Sequence, residues 1–166
     1  TRCFPKFNAK NRKEIGKFYE LSKSVICNIH DALYCEFSKR SAKFIGQTYA
    51  CHADYSDIKK NLEKTSVKAA LHSDAIGYHI EGKSNQDVQV LEVKNHLLRV
   101  EFSHDLHVMF PNLRSVKITH SDINRVIHHT FKRLPQLISV DLSANKIQEL
   151  PAGIFRLNLN LIFVNF

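Results

Sequence analysis

The sequence predicts an α/β-type solenoid of similar stacked coils, preceded by a β-hairpin cap that a disulfide holds closed. Two observations carry this prediction. The same apolar pattern recurs every 24 residues in the C-terminal half, and all four cysteines lie in the first third of the 166-residue chain. A unit of this length cannot bury its own apolar face and must stack against neighbouring units, so such a recurrence indicates a repeat architecture.

The repeat is clearest from Leu137, where the sequence LISVDLSANKIQELP follows the pattern LxxLxLxxNxLxxLP. Leu113 lies 24 residues before Leu137, and Leu161 lies 24 residues after it. Phe131 and Phe155 are separated by the same 24 residues. Random alternation would not keep both the leucine and the phenylalanine positions at matched offsets, so the pattern predicts true repeats.

The chain divides into an N-terminal extension of unknown structure, a cap with an entry strand, and the repeats. Their predicted bounds are 1–34, 35–87 and 88–166. The repeats comprise 88–112, 113–136, 137–160 and the start of a fourth at 161–166. Because the chain stops inside a repeat, we expect it to be the N-terminal fragment of a longer protein.

Outside the repeats, local patterns predict less. Residues 9–30 have apolar positions at near-helical spacing and could form a helix, and the alternatives for this segment are a damaged signal sequence or an imported exon. Residues 57–70 are charged and predict a weak helix or a loop. Residues 76–80 predict a strand that enters the solenoid ahead of the first repeat.

Each LxL core predicts a short strand whose alternate side chains point inward. In the third repeat, this register places Leu142, Leu150 and Phe155 in the core and leaves Asp141 and Ser143 exposed.

The turn after each strand commonly carries an asparagine that bonds backbone groups of adjacent coils. The three repeats have His96, Ser121 and Asn145 at this position. We therefore expect only a partial asparagine ladder.

The cysteines favour an oxidising compartment, although four buried free thiols are the alternative. Short alternating runs around Cys35 and Cys51 predict a β-hairpin, with a basic segment ending at Gly46 between them. A bridge between these two cysteines would close the hairpin and leave Cys3 and Cys27 to pair with each other. Four cysteines allow three pairings, and the spacing alone does not choose among them.

Residues 88–166 resemble the leucine-rich-repeat family, of the 24-residue type with LPxxxF after the turn. This resemblance implies a right-handed solenoid with a parallel sheet on its concave side, where ligands, usually proteins, bind. Residues 35–111 further resemble secreted insect repeat proteins, through Tyr49-Ala50-Cys51, the IGYH segment at 76–79 and the KSNQD segment at 83–87. That second resemblance implies an extracellular recognition protein, with a role such as innate immunity.

Alternation around each LxL places one set of side chains outward on the concave face, as candidate ligand contacts. These residues are Glu92, Lys94, Ser115, Lys117, Thr119, Ser139, Asp141 and Ser143. Val90, Phe163 and Asn165 share the same face. One column reads Glu92, Lys117, Asp141 and Asn165, whose charges could equally form a self-neutralising surface ladder.

Other functions find little support in the sequence. Ten histidines occur without a metal-binding motif, no catalytic signature surrounds any cysteine, and glycine is scarce at five residues, so we expect no metal, cofactor or enzymatic activity. No apolar run is long enough for a membrane span. The net charge of +8 leaves an alternative, a basic adaptor for polyanions such as sulfated glycans or anionic lipid head groups. A specific nucleic-acid role is not expected, because no basic stripe interleaved with aromatics is present.

Overall fold

The computed structural model describes residues 33–56, 75–76, 78–96, 101–102 and 106–166. All of them belong to one compact unit, 31–166. Three predictions fall outside the described residues. They are the helix at 9–30, the Cys3–Cys27 pair and the weak helix or loop at 57–70.

A six-stranded sheet organises this unit. Its strands are β2 (Glu36–Ala42), β3 (Gly46–Asp54), β5 (Val90–Lys94), β7 (Ser115–Thr119), β9 (Ser139–Asp141) and β10 (Phe163–Asn165). Their order in the sheet is β10-β9-β7-β5-β3-β2, and every neighbouring pair from β3 to β10 is parallel, whereas β2 and β3 are antiparallel. The predicted repeat strands are therefore confirmed, and they lie side by side at the repeat spacing.

Shorter elements accompany the sheet. They are β1 (Leu33–Tyr34), β4 (Ala75–Ile76), a 3-10 helix (Asn85–Asp87), β6 (Glu101–Phe102), helix α1 (Leu106–Met109) and β8 (Arg125–Val126). The 3-10 helix is closed by a capping box, in which Ser84 and Asp87 bond each other's backbone N–H groups.

The predicted cap hairpin forms and is longer than the sequence indicated. β2 and β3 pair over seven residues each, and the turn between them is Lys43-Phe44-Ile45. Gly46 follows with φ +87°, a conformation that glycine adopts without steric cost. The predicted Cys35–Cys51 disulfide is present, with a Cα–Cα distance of 5.1 Å. β3 also pairs in parallel with β5, so the cap continues the sheet of the repeats.

The expected entry strand at 76–80 is wrong in extent, and it does not join the six-stranded sheet. The strand there is β4, which ends at Ile76 and pairs with β1 in a separate two-stranded sheet. Tyr78 and Ile80 are exposed. The hydroxyl of Tyr49 accepts a hydrogen bond from the Ile80 backbone N–H at 3.1 Å and bonds His79 Nδ1 at 3.0 Å. The Tyr49 side chain of β3 therefore holds residues 79–80 in place, without backbone pairing between strands.

The core lies on one side of the sheet and consists of the positions that recur in the sequence. Leu113 and Leu137 are fully buried, and the ring of Phe131 stacks on that of Phe155 with centroids 5.2 Å apart. Leu142 is buried as predicted, whereas Leu150 and Phe155 are only partly buried. Both side chains pack against the core cluster without being fully enclosed by it.

Candidate protein-binding surface

We use the term outer face for the side of the six-stranded sheet that is turned away from the core. The parallel register aligns its side chains in columns, because partner residues lie directly beside each other. The central column is His52, Glu92, Lys117, Asp141 and Asn165. The structure thus brings together the four residues predicted for this column and adds His52 from the cap.

The charges of the central column partly neutralise one another. The carboxylate of Glu92 lies 3.3 Å from Lys117 Nζ and 3.2 Å from His52 Nδ1. Asn165 Nδ2 donates to Asp141 Oδ1 at 3.4 Å, a long hydrogen bond. The Lys117 side chain remains 46% exposed, so this ladder leaves a cation accessible in the middle of the outer face. Ion pairs as exposed as these contribute at most about 1 kcal/mol each to stability.

The next column runs from Ala50 through Val90, Ser115 and Ser139 to Phe163. Ser139 Oγ donates to Ser115 Oγ at 2.7 Å, which uses both hydroxyls within the column. Ser139 is only 7% exposed. The expectation that Ser139 is an accessible contact is therefore corrected, since its small side chain lies between two neighbours in register.

The third column begins with Asp54 and continues through Lys94 and Thr119. Lys94 is exposed, but Thr119 is 6% exposed and cannot present its side chain to a large ligand. Ser143 lies beyond the end of β9, where its backbone N–H donates to Asp141 Oδ1 at 3.1 Å. Of the three predicted residues, the structure thus leaves Lys94 accessible and half-buries Ser143.

Sequence reasoning missed His52 and Asp54, although alternation around Cys51 and Ala53 could have identified them. Asp54 accepts hydrogen bonds from Ser56 and from Asn95 Nδ2. Partial burial raises the pKa of Asp54, but these hydrogen bonds outweigh burial and hold the pKa below its ordinary value.

The polar positions after the strands join successive coils. Asn145 Oδ1 accepts from the Ser121 backbone N–H at 2.9 Å, and its Nδ2 donates to the Ile118 carbonyl at 2.7 Å. One coil earlier, Ser121 Oγ accepts from the His96 backbone N–H at 3.2 Å. Serine therefore continues the ladder with fewer hydrogen bonds, as the partial-ladder prediction requires.

The residue before each ladder position takes a left-handed conformation. Asn95, His120 and Ala144 have φ values of +59°, +53° and +55°. None of the three is glycine, so the residue types at these positions do not predict a left-handed turn. The carbonyls of Thr119 and Ala144 accept hydrogen bonds from the N–H groups of Asn95 and His120, which hold the turns of adjacent coils together.

His96 is the exception within the ladder. Its ring is buried, packs edge-on against Tyr55 at 4.4 Å, and its Nδ1 atom has no hydrogen-bond partner among the described residues. Burial lowers the pKa of His96 to about 4, because the charged imidazolium would lose its hydration. The neutral ring is therefore the form that the folded coil accommodates near pH 7.

The hairpin turn reaches the far edge of the sheet. The ring centroid of Phe44 lies 5.7 Å from that of Phe163, which is on β10. Lys43 Nζ lies 4.9 Å from the Phe44 centroid and 5.8 Å from the Phe163 centroid, within the range of a cation–π contact. The cap and the last described strand thus meet through side chains, although three strands separate β3 from β10 in the sheet.

The described part of the chain contains neither a candidate metal site nor a candidate membrane-spanning helix. No group of three or more His, Cys, Asp or Glu side chains there could hold a metal ion. Nor does any helix in the described segments have the length and apolar character needed to cross a membrane.

Comparison with known proteins gives one family match. Residues 111–164 match the family model described as leucine rich repeat. No curated protein matches the chain. The matched segment begins just before β7 and includes β9 and most of β10, so it covers the part of the sheet that repeats every 24 residues. The match makes this part of the chain similar to the leucine-rich-repeat family.

Proposed function

We propose that the chain is an extracellular protein-binding module and that its outer face contacts the ligand. Leucine-rich repeats suggest protein binding, and the family is typically non-enzymatic. The observation that carries the proposal is the central column, where parallel register lines up Glu92, Lys117 and Asp141 on adjacent strands. A preorganised row of this kind can recognise a protein surface with little loss of side-chain entropy.

The extracellular location rests on the Cys35–Cys51 disulfide. Structural disulfides persist in oxidising compartments and are rare in the cytosol. A solenoid shape, an insect origin and a role in immunity stay expectations from the family resemblance.

The test is selection of binders from a random dodecapeptide display library against the immobilised chain. We expect a class of selected peptides to lose most of its binding to a Lys117→Glu variant, because this change reverses the most accessible charge of the central column. The matched control is Lys132→Glu, since Lys132 is exposed and lies outside the sheet. A selection in which no peptide binds Lys117→Glu more weakly than Lys132→Glu would contradict the proposal.

The same assay separates the polyanion alternative. A protein ligand should be displaced by soluble selected peptide and tolerate moderate salt. A polyanion site would behave differently. Heparin or vesicles containing phosphatidylserine would displace the selected peptides, and peptide binding would fall steeply with salt.

A further inference from the structure

The turn of the cap hairpin (Lys43-Phe44-Ile45) lies beside β10, at the opposite end of the sheet from β3. The chain between this turn and the start of the β3–β5 pairing is long enough to span that distance. Four strand spacings of about 4.8 Å separate β3 from β10, which gives about 19 Å. Phe44 lies six residues before Ala50, where β3 enters register with β5. Six extended residues span about 20 Å, so the free end of the hairpin is long enough to reach β10.

The position of the turn has an energetic cost that indicates a role. Phe44 has φ +71°, a left-handed conformation that is strained for a non-glycine residue. Its ring is nevertheless 47% exposed, so burial of the ring recovers only part of this cost. Strained residues of this kind concentrate at binding sites, and the space beside the ring is a groove.

The groove has a volume of about 550 Å³ and follows the edge of the sheet where the parallel strands begin. Its lining residues are Phe44, Gln89, Arg114, Gln136, Ile138, Asn160 and Ile162. Gln89, Arg114, Ile138 and Ile162 each immediately precede a strand, in four successive coils. Three strand spacings make this row about 14 Å long, the length of about four extended residues.

Backbone groups along this row are already used within the sheet. The Arg114 carbonyl accepts from the N–H groups of Ile138 and Ser139, and the Ile138 carbonyl accepts from those of Ile162 and Phe163. A ligand in the groove must therefore be recognised by side chains. It would not be bound as an added strand.

The guanidinium of Arg114 is the charged group that the groove offers for that recognition. Arg114 is half-buried, and no hydrogen bond or ion pair joins its side chain to the described residues. A guanidinium presents a planar fork of donors that fits a carboxylate in a bidentate manner. Arg114 is the one charged residue of the lining, and Lys43 Nζ lies nearby, 4.9 Å from the ring centroid of Phe44. These cations favour an anionic ligand, whereas Ile138 and Ile162 favour an apolar side chain beside that charge.

We propose that this edge groove binds an extended acidic segment of a partner protein, with a carboxylate on Arg114 and an apolar side chain against Ile138, Ile162 and Phe44. The site is separate from the central column of the outer face. The proposal for the groove can therefore be tested independently of the function proposed above, which the Lys117→Glu variant tests.

The probe is a mixture of hexapeptides in which acidic residues (Asp or Glu) alternate with apolar residues (Leu, Ile, Val or Phe). The control mixture replaces the acidic positions with Asn and Gln. Bound peptides are counted by mass spectrometry after capture on the full chain, and their affinities are measured by calorimetry. We expect enrichment of the acidic mixture alone, and a shift of the Arg114 side-chain N–H resonance in NMR spectra when peptide is added.

Variants locate the site. Arg114→Gln should weaken binding of the enriched peptides at least about tenfold, as loss of one charge-assisted pair requires. Phe44→Ala should weaken it to a smaller extent. Arg156→Gln is the matched control, since Arg156 is exposed and does not line the groove. Lys117→Glu should leave this binding unchanged.

Four outcomes overturn the proposal. They are absence of enrichment, equal enrichment of the amide mixture, equal loss in Arg114→Gln and Arg156→Gln, and full displacement by heparin without a preference for apolar residues. The last would indicate a sulfated glycan as the occupant.

Discussion

Asn145 accepts a hydrogen bond from the backbone N–H of Ser121, 24 positions earlier in the chain, at 2.9 Å. The side chain of one coil thereby satisfies the backbone of the preceding coil. Because the same amide also donates to the carbonyls of Ile118 and Leu142, a single residue links three backbone positions across two coils. Coil stacking thus depends on this polar contact as well as on apolar burial.

Asn145→Ala should lower the free energy of unfolding by about 2–4 kcal/mol, because it leaves several partly buried backbone groups without partners. Urea unfolding measures this change. The control is Asn160→Ala, which removes one exposed 3.3 Å hydrogen bond to the Pro135 carbonyl and should cost under about 1 kcal/mol. Equal losses would mean that Asn145 does not link the coils.

His96 makes stability depend on pH in a defined direction. The pKa of His96 is about 4 in the folded coil, below the ordinary value of 6.5, so the unfolded chain binds a proton first as pH falls. The contribution of neutral His96 is present above pH 6.5, is lost progressively between pH 6.5 and pH 4, and changes no further below pH 4. The loss should be on the order of 3 kcal/mol.

Urea titrations of the parent and of His96→Asn across this pH range test that dependence. The variant should show a smaller loss of stability between pH 6.5 and pH 4. His128→Asn, at an exposed histidine, should keep the parent's profile. An unchanged profile in His96→Asn would show that other groups cause the pH dependence.

Replacing both Cys35 and Cys51 with serine should lower the free energy of unfolding by about 3 kcal/mol. In the chain-entropy model, this is the stabilisation expected from closing a loop of the observed separation of 16 residues. Thermal unfolding of the parent, with and without a reducing agent, and of the double variant measures it. A parent whose unfolding temperature does not change on reduction would contradict the prediction.

Strand register in the third repeat can be tested with two adjacent residues. Leu142 is 1% exposed, so Leu142→Ala should cost about 2–5 kcal/mol through lost burial and the cavity left behind. Asp141 is half-buried on the outer face, and Asp141→Ala should cost under about 1 kcal/mol. Comparable losses in urea unfolding would mean that the register is shifted by one residue.

The sequence by itself determined the repeat and its core. Recurrence at 24 residues predicted β7, β9 and β10, together with the inward side chains of Leu113, Leu137 and Leu142, because apolar periodicity records which side chains must leave water. The short alternating runs around Cys35 and Cys51 also predicted the hairpin that a disulfide between them would close. These patterns can be read from the sequence alone, within one hairpin or by comparing one repeat with the next.

Tertiary structure decided which outward residues are accessible. Ser139 and Thr119 alternate outward, yet both are buried, since accessibility depends on neighbours in other coils and not on alternation. The contact between Phe44 and Phe163 joins positions 119 residues apart, and no local pattern encodes it. The same holds for the placement of Arg114 in its groove, because a groove exists only where separate coils and the hairpin meet.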